Sequence, residues 1–586
     1  MNGQRRAVSL LAALGLLCGG AARAAESLKI ELDGVSGNLR RNVLATLSLE
    51  EARKEKDLSE DRIRRLHAKA ADEIGTALQP FGYYRPQIQG SLGRQGKSWV
   101  ARYRIDPGPP LLVTAFDLKI DGAGAADPGF RDRAQSFPLR QGDVLYHPGY
   151  EVGKQSLVDY AAAAGYLDAT YKVSEIRIDE AAYTCDVILH FDTGPRYLFG
   201  PVTFNQDFLD PAILRGYVTF KQGEPLDLNK LLEMQTALSG SPYFQRVEVL
   251  PRQDQAQGLE VPIEADLVPS KPQRWHFGIG YGTDTGPRGT ASFELRHINR
   301  EGHRAQAEAK VSEIDKSFTA GYQIPGPYPR TDVISFDAGY AFLNPKTSES
   351  RIFKLGSSLS ESRGQWRQSF SLGFQREVFT IGLDGGTSRL LIPGTSWSIV
   401  RADDRIYTSH GQRLQIDLKG AQKSVLSNAS FVQAKVDGIL IRSVGRFRFI
   451  TRGQLGDTQT NDFHALPPTI RFFAGGDQSV RGYAYQQLGD KDAAGHVIGG
   501  KELATGSVEV DYTYLEHWKF LDKWGVAAFF DTGNAASSLS SASLQRGTGV
   551  GLRWVSPIGP IHLDAAWAIS QPGHPLRIHF TVGPDL

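Results

Sequence analysis

The chain has 586 residues, with 66 Lys+Arg against 64 Asp+Glu for a formal net charge of +2, and it carries 63 glycines, 10% aromatics and only two cysteines. So even a charge balance excludes a nucleic-acid binder held by bulk electrostatics, and no nucleic-acid partner is expected. Two cysteines exclude a disulfide framework.

In chain order, Arg5 and Arg6 precede an apolar stretch from Ala7 to Leu17 and the small residues Ala22 and Ala24. This is the order of a secretory leader, expected over residues 1–24. The apolar stretch is far shorter than the roughly 20 residues of a membrane-spanning helix. Cleavage would remove Cys18, Arg5, Arg6 and Arg23, giving +2 − 3 = −1 and leaving Cys185 alone as inert filling. No later apolar run suits a helical span, so any membrane role must be built from strands.

From residue 26 to about 267 the chain repeats with a period near 80. "FGYYRPQI" (Phe81–Ile88) is echoed by "AGYLDATY" (Ala164–Tyr171) and "SPYFQRVEV" (Ser241–Val249). "QGDVL" from Gln141 returns as "QGEPL" from Gln222, and "GPPLLV" from Gly108 as "GPRYLF" from Gly194. Three markers on one beat define repeated modules. Each reads as an extended opening, helical stretches such as "LSEDRIRRLHAKAADEIGTAL", the aromatic "GY" element, and two alternating runs. The expected modules are α+β units over 25–108, 109–194 and 195–268. Tyr83, Tyr166 and Tyr243 are expected to pack between helix and sheet, and each short sheet leaves edges open to pairing.

Past residue 269 the helical period disappears. "RLQIDLKG" alternates Leu414, Ile416 and Leu418 with Gln415, Asp417 and Lys419, and "FVQAKVDGIL" and "RAQAEAKV" do the same. About 16 such runs are expected, starting near 273, 289, 303, 316, 332, 349, 366, 389, 411, 431, 445, 503, 523, 546, 559 and 574. Runs of about ten residues, apolar on one side and polar on the other, describe a transmembrane β-barrel with a wet lumen over 269–586. A soluble sandwich is the alternative, but its dry core would not accept Gln, Lys, Asp and Arg at every second position.

Between the runs near 445 and 503 lies a stretch of roughly 45 residues with little strand patterning, holding "GGDQSVRGY" (Gly475–Tyr483). Loops of that length are uncommon unless functional or disordered. With the "VRGY" tetrad (Val480, Arg481, Gly482, Tyr483) come "GSVEVDY" from Gly506, "FFDTGNA" from Phe529 and "GVGLRWVSPIGPIHLDAA" from Gly549. On these motifs the chain resembles the outer-membrane assembly and translocation proteins that join periplasmic POTRA modules to a C-terminal barrel. Three modules before a roughly 320-residue barrel resemble that family's TamA-type branch, although Leu586 replaces the terminal Phe of most barrel proteins.

The resemblance implies that the loop folds back into the lumen, where Arg481 meets Glu509 and Asp531. Physical chemistry asks for such partners, because a confined guanidinium stays charged and is costly without a carboxylate. Alternation turns Glu509 away from Val508 and Val510, toward the lumen. The pair either stiffens the barrel or latches a gating loop, and both readings stand on the sequence.

A second candidate is the seam between the barrel's ends. Trp275, Phe277, Ile279 and Tyr281 alternate with His276, Gly278, Gly280 and Gly282 in the first run. In the last, Leu576, Ile578, Phe580 and Val582 alternate with Arg577, His579, Thr581 and Gly583, before Pro584 ends backbone donation. A glycine-rich strand paired with one cut short is expected to make a weak junction that opens laterally to an incoming client strand. Alternatively, the lumen glycines only make room for the loop.

No "HExxH", "CxxC" or "GxSxG" occurs, so neither catalysis nor a cofactor is expected. The resemblance implies an outer-membrane location in a Gram-negative bacterium with periplasmic modules. It implies client outer-membrane proteins or autotransporters, a TamB-type partner anchored in the inner membrane, and contact with membrane lipids. A two-partner secretion pore, or a component of inter-membrane phospholipid transport, is the alternative; the former would carry two modules and a plug helix.

Overall fold

The computed structural model describes residues 27–55, 58–96, 98–404, 406–513, 524–556 and 559–583. The expected leader, Pro584 and Leu586 lie outside these residues. Three three-stranded sheets precede one 16-stranded sheet. In the first, strand Ser27–Asp33 runs parallel to Ser98–Asp106, which pairs antiparallel with Gln87–Gln95 on its other edge. Helix Glu60–Leu78 covers that sheet, its Ser59 cap accepting from the Arg62 N–H. Ile63, Ala70, Ile74, Ala77 and Leu78 form the stripe it buries.

The second sheet repeats this order with Val113–Asp121, Thr184–Asp192 and Thr170–Asp179, under helices Pro128–Gln135 and His147–Ala163. Cys185 is buried in its core, its thiol pushed up to about 11 by burial and then by the charge of Asp186. The third sheet has Leu198–Asn205, Glu260–Pro269 and Phe244–Pro251 in that order.

Two compact units result. One holds the residues up to Gly200 with 222–229 and 253–262; the other holds 201–221, 230–252 and 263 onward. Within the first unit, the sequence markers that keep the 80-residue beat meet in space. The Gly82 carbonyl accepts from Leu111 N–H, and the Leu111 carbonyl from Leu145 N–H. One repeat later, Gly165 accepts from Tyr197, and Tyr197 from Leu226. Both glycines are left-handed, at φ +85° and +87°, and a methyl on either would press on the backbone of Leu145 or Leu226. So the "GY", "GP" and "QG" elements together spell a backbone junction.

Within the second unit, the third module holds the turns that follow the second and fourth barrel strands. Tyr243 Oη donates to the Gly302 carbonyl at 2.6 Å, Asp210 N–H to the Arg300 carbonyl at 2.8 Å, and Arg330 pairs with Glu233 at 2.7 Å.

The barrel strands are β1 (Gln273–Gly282), β2 (Gly286–Leu295), β3 (Arg304–Val311), β4 (Asp315–Pro325), β5 (Asp332–Leu343), β6 (Ser348–Arg363), β7 (Trp366–Ile381) and β8 (Asp384–Ala402). There follow β9 (Gly411–Ala421), β10 (Phe431–Val444), β11 (Phe447–Gln459), β12 (Glu502–Thr513), β13 (Trp524–Ala536), β14 (Gln545–Ser556), β15 (Gly559–Ala568) and β16 (Leu576–Val582). Every strand pairs antiparallel with its neighbours in the chain. The expected 16-stranded barrel after α+β modules is the observed fold. Alternation divides the faces: Val432, Val508, Val526, Val550 and Leu563 are exposed, while Gln433, Glu509, Asp511, Asp531 and Asp564 are buried.

One expectation is corrected: the end strands do not pair as a ladder. The sheet order stops at β1 and at β16. Among the described residues the backbone contact there is Thr283 N–H to the Phe580 carbonyl at 3.3 Å, just past the end of β1. Phe580 N–H returns to Thr283 Oγ1 at 2.7 Å, and Arg288 reaches the Val582 carbonyl at 3.4 Å. The strands meet at one crossing point, leaving Ile279 98% exposed.

Gly165→Ala places a side chain in the left-handed region, a cost of roughly 1–2 kcal/mol, against the Leu226 backbone. Limited trypsin digestion of the full chain should then cut after Arg196, in the junction, several-fold faster than in the parent, with the barrel unaffected.

Candidate functional site: the inserted loop and the seam

Residues 460–501 connect β11 to β12 at the barrel end opposite the turns that the third module holds, and the loop returns into the lumen. Gly475, Gly476 and Gly482 turn the loop at φ +98°, +105° and +95°. Gly482 lies so close to the backbone of Trp567 and Ala568, at the end of β15, that a side chain would collide with it. Val480 and Tyr483 flank the tip in an apolar cluster with Phe472, Leu488, Leu503, Ala535 and Ala568. Tyr483 Oη donates to Gln545 Oε1 at 3.2 Å.

At the tip, Arg481 is buried and uses its whole guanidinium. Nε donates to Asp531 Oδ2 at 2.8 Å and Nη2 to Asp531 Oδ1 at 2.9 Å, a bidentate fork from loop to β13. Nη1 donates to Glu509 Oε2 on β12 at 2.6 Å and to Asp564 Oδ2 on β15 at 3.0 Å. The Arg481 backbone N–H also goes to Asp531, and the guanidinium carbon lies 3.4 Å from the centre of the Phe529 ring. The structure therefore brings Arg481, Glu509 and Asp531 together.

The sequence reading missed the rest of the network. Arg553 on β14 pairs with Glu509 at 2.7 Å and with Asp564, and Arg448 on β11 pairs with Asp511 at 3.0 Å. Four carboxylates (Glu509, Asp511, Asp531, Asp564) thus face three guanidiniums, and Arg452, which acts electrostatically on Glu509, makes the count four and four. Alternation could have found Arg553 and Asp564, because each sits beside an exposed leucine, Leu552 or Leu563.

A second arginine holds the descending leg of the loop. Arg471 is buried, donating to Asp384 Oδ2 at 3.0 Å, to the Leu466 carbonyl at 2.8 Å and to the His464 and Ile498 carbonyls at 3.1 Å. Beside it Glu377 on β7, fully buried, accepts from Ser350, Gln375 and the loop's Thr469. The loop is therefore fastened on both sides of the lumen. A cavity of about 600 Å³ remains between loop and wall, lined in part by Lys419, Lys435 and Gln454.

The seam residues fall at the two free ends of the sheet. Gly278 and Gly280 lie on β1, with Gly280 facing the Arg288 side chain and Gly282 buried at the strand's end. Ile578 is half exposed on β16; Phe580, Val582 and Gly583 are partly covered, and the Phe580 ring lies 6.1 Å from that of Tyr281.

Fold and loop define the class: a POTRA-bearing transmembrane β-barrel whose lumen is entered by an arginine-tipped loop. The Omp85 superfamily domain matches residues 298–585, and the POTRA domain TamA domain 1 matches residues 29–107. The chain's barrel, over residues 298–585, belongs to the Omp85 superfamily. The chain is 31% identical over 144 residues to the outer membrane protein assembly factor BamA of Nitratidesulfovibrio vulgaris, a match spanning 23% of this chain and 17% of that protein. Its fold is similar to that of BamA from Haemophilus ducreyi lacking POTRA domains 1-3, with a TM-score of 0.68 and 15% identity over 81% of this chain and 99% of that one.

Arg481→Ala leaves Glu509, Asp531 and Asp564 buried and short of a cation, a loss of about 3–5 kcal/mol for a broken buried pair. The temperature at which the folded barrel converts to the unfolded band on unheated gels should fall. Arg481→Lys should recover little of it, because an ammonium cannot reproduce the fork to Asp531.

Proposed function

We propose that this protein is an outer-membrane assembly or translocation factor of the TamA type, which helps insert or secrete outer-membrane proteins such as autotransporters. It acts from the outer membrane of a Gram-negative bacterium with its modules in the periplasm, together with a TamB-type partner, and without catalysis or cofactor. The first-module match to a TamA POTRA family supports the branch, and the BamA relative's name as an assembly factor supports the work.

The observation that carries the proposal is the unpaired seam. An edge of free N–H and C=O groups in hydrocarbon is unfavourable, and barrels normally close to remove it. Here β1 keeps its outer edge unladdered, so an extended client segment gains backbone hydrogen bonds by pairing with it. The wall is also lowest there: β16 has 7 residues and β3 has 8, against 19 in β8 on the opposite side. Strands of 7 or 8 residues fall below the roughly 9–11 that span a bilayer.

Cysteines at Tyr281 and Phe580, whose rings touch across the seam, lock it when oxidised in a chain carrying Cys185→Ala. Client insertion into proteoliposomes should drop at least tenfold on oxidation and return on reduction, at constant barrel abundance. Undiminished insertion through a locked seam rejects the lateral route.

A further inference from the structure

Where β1 and β16 meet, three side chains from three separate parts of the chain come together: Asp284 in the β1–β2 turn, Asp477 in the inserted loop and His579 on β16. Asp477 N–H donates to Asp284 Oδ2 at 2.6 Å. His579 Nδ1 bonds the Asp477 carboxylate, and Nε2 lies 3.0 Å from the N–H of Gly482. A backbone N–H only donates, so Nε2 is the acceptor and Nδ1 carries the proton given to Asp477. Both ring nitrogens are used, which leaves no lone pair for a metal ion.

We propose that this relay, running from the β1–β2 turn through Asp477 to His579, closes the seam in place of strand pairing, so that the inserted loop is the clamp and the seam opens when the loop leaves its seat. The inference rests on the lateral route proposed above and names its regulation. It follows from where the bonds go. Asp477 belongs to the loop and bonds both sides of the gap, while Gly482, the other partner of His579, is the residue next to Arg481. One imidazole therefore ties β16 to both the clamp and the arginine tip.

The clamp is poised rather than self-sustaining. Asp284 Oδ1 is buried without a hydrogen-bond partner, and burial, then the charge of Asp477, holds its carboxyl above the usual carboxylate range. Two carboxylates this close do not attract each other, so the junction persists because Arg481 and Arg471 hold the loop that brings Asp477 there. Removing the loop's hold should release the seam.

The test uses the full chain in nanodiscs with spin labels at Ile279 and Ile578, both lipid-facing, in a Cys185→Ala background, and distances across the seam are read by pulsed electron spin resonance. His579→Leu, which keeps bulk and loses both bonds, should raise the long-distance fraction at least threefold. His579→Gln, whose amide supplies one acceptor and one donor, should stay near the parent. Arg481→Ala should open the seam as His579→Leu does, and the double variant should open it no further, since both act through one element. Asp284→Ala, in a turn rather than a strand, carries the same expectation if the His579→Leu barrel does not fold.

A shut seam in His579→Leu and Asp284→Ala overturns the proposal, as does equal opening in His579→Leu and His579→Gln, or additive opening in the double variant. An open seam without altered client insertion supports the relay and counts instead against the lateral route.

Discussion

A guanidinium buried in the middle of a barrel has to be neutralised where it sits, and that requirement organises this molecule. Arg481 cannot lose its proton, and at 3% exposure its charge is shielded from solvent. Its compensation comes from β12, β13 and β15 together, so the position of a long loop and the mutual placement of three strands are fixed by one charge. The neighbouring Arg553 and Arg448 extend the same balance, so Glu509, Asp511 and Asp564 each have a cation on the wall, whereas among the described residues Asp531 is paired by the loop's Arg481. The loop's neighbours must leave space as well: Gly547 lies directly against the Arg481 carbonyl, where any side chain would collide.

The seam is the counterpart of that rigidity. One half of the lumen wall is cross-braced by buried ion pairs, whereas β1 and β16 meet through a few hydrogen bonds and a ring contact. Cooperative structure is concentrated where the loop is anchored and is sparse where the sheet ends, the distribution expected of a wall with one yielding place.

Much of the barrel was legible in the sequence because a lipid face and a wet face impose period two on every strand. The starts read from alternation fall within three residues of the observed ones except at β8, expected near 389 and observed at Asp384. There the strand opens with Asp384, Gly385 and Gly386, which carry no alternation to read. Glu509 and Asp531 were reached through motif resemblance, and the inward face of Glu509 through alternation. Asp564 and Arg553 obey the same alternation, but nothing in the sequence says that their strands curl round to the same point. The seam cluster was beyond reach for another reason. Asp284 and Asp477 lie in a turn and a loop, where no period exists, and they meet across 193 residues.

The module junctions carry a last implication. Gly82 and Gly165 each occupy a left-handed position and hand their carbonyl to the next module, but the third repeat writes Pro242 where they stand, and its Tyr243 reaches instead to the Gly302 carbonyl of a barrel turn. A ring that fixes φ near −65° forbids the shape that propagates the array. The end of the module array is thus written locally, one residue marking where the chain docks on a barrel turn rather than repeats.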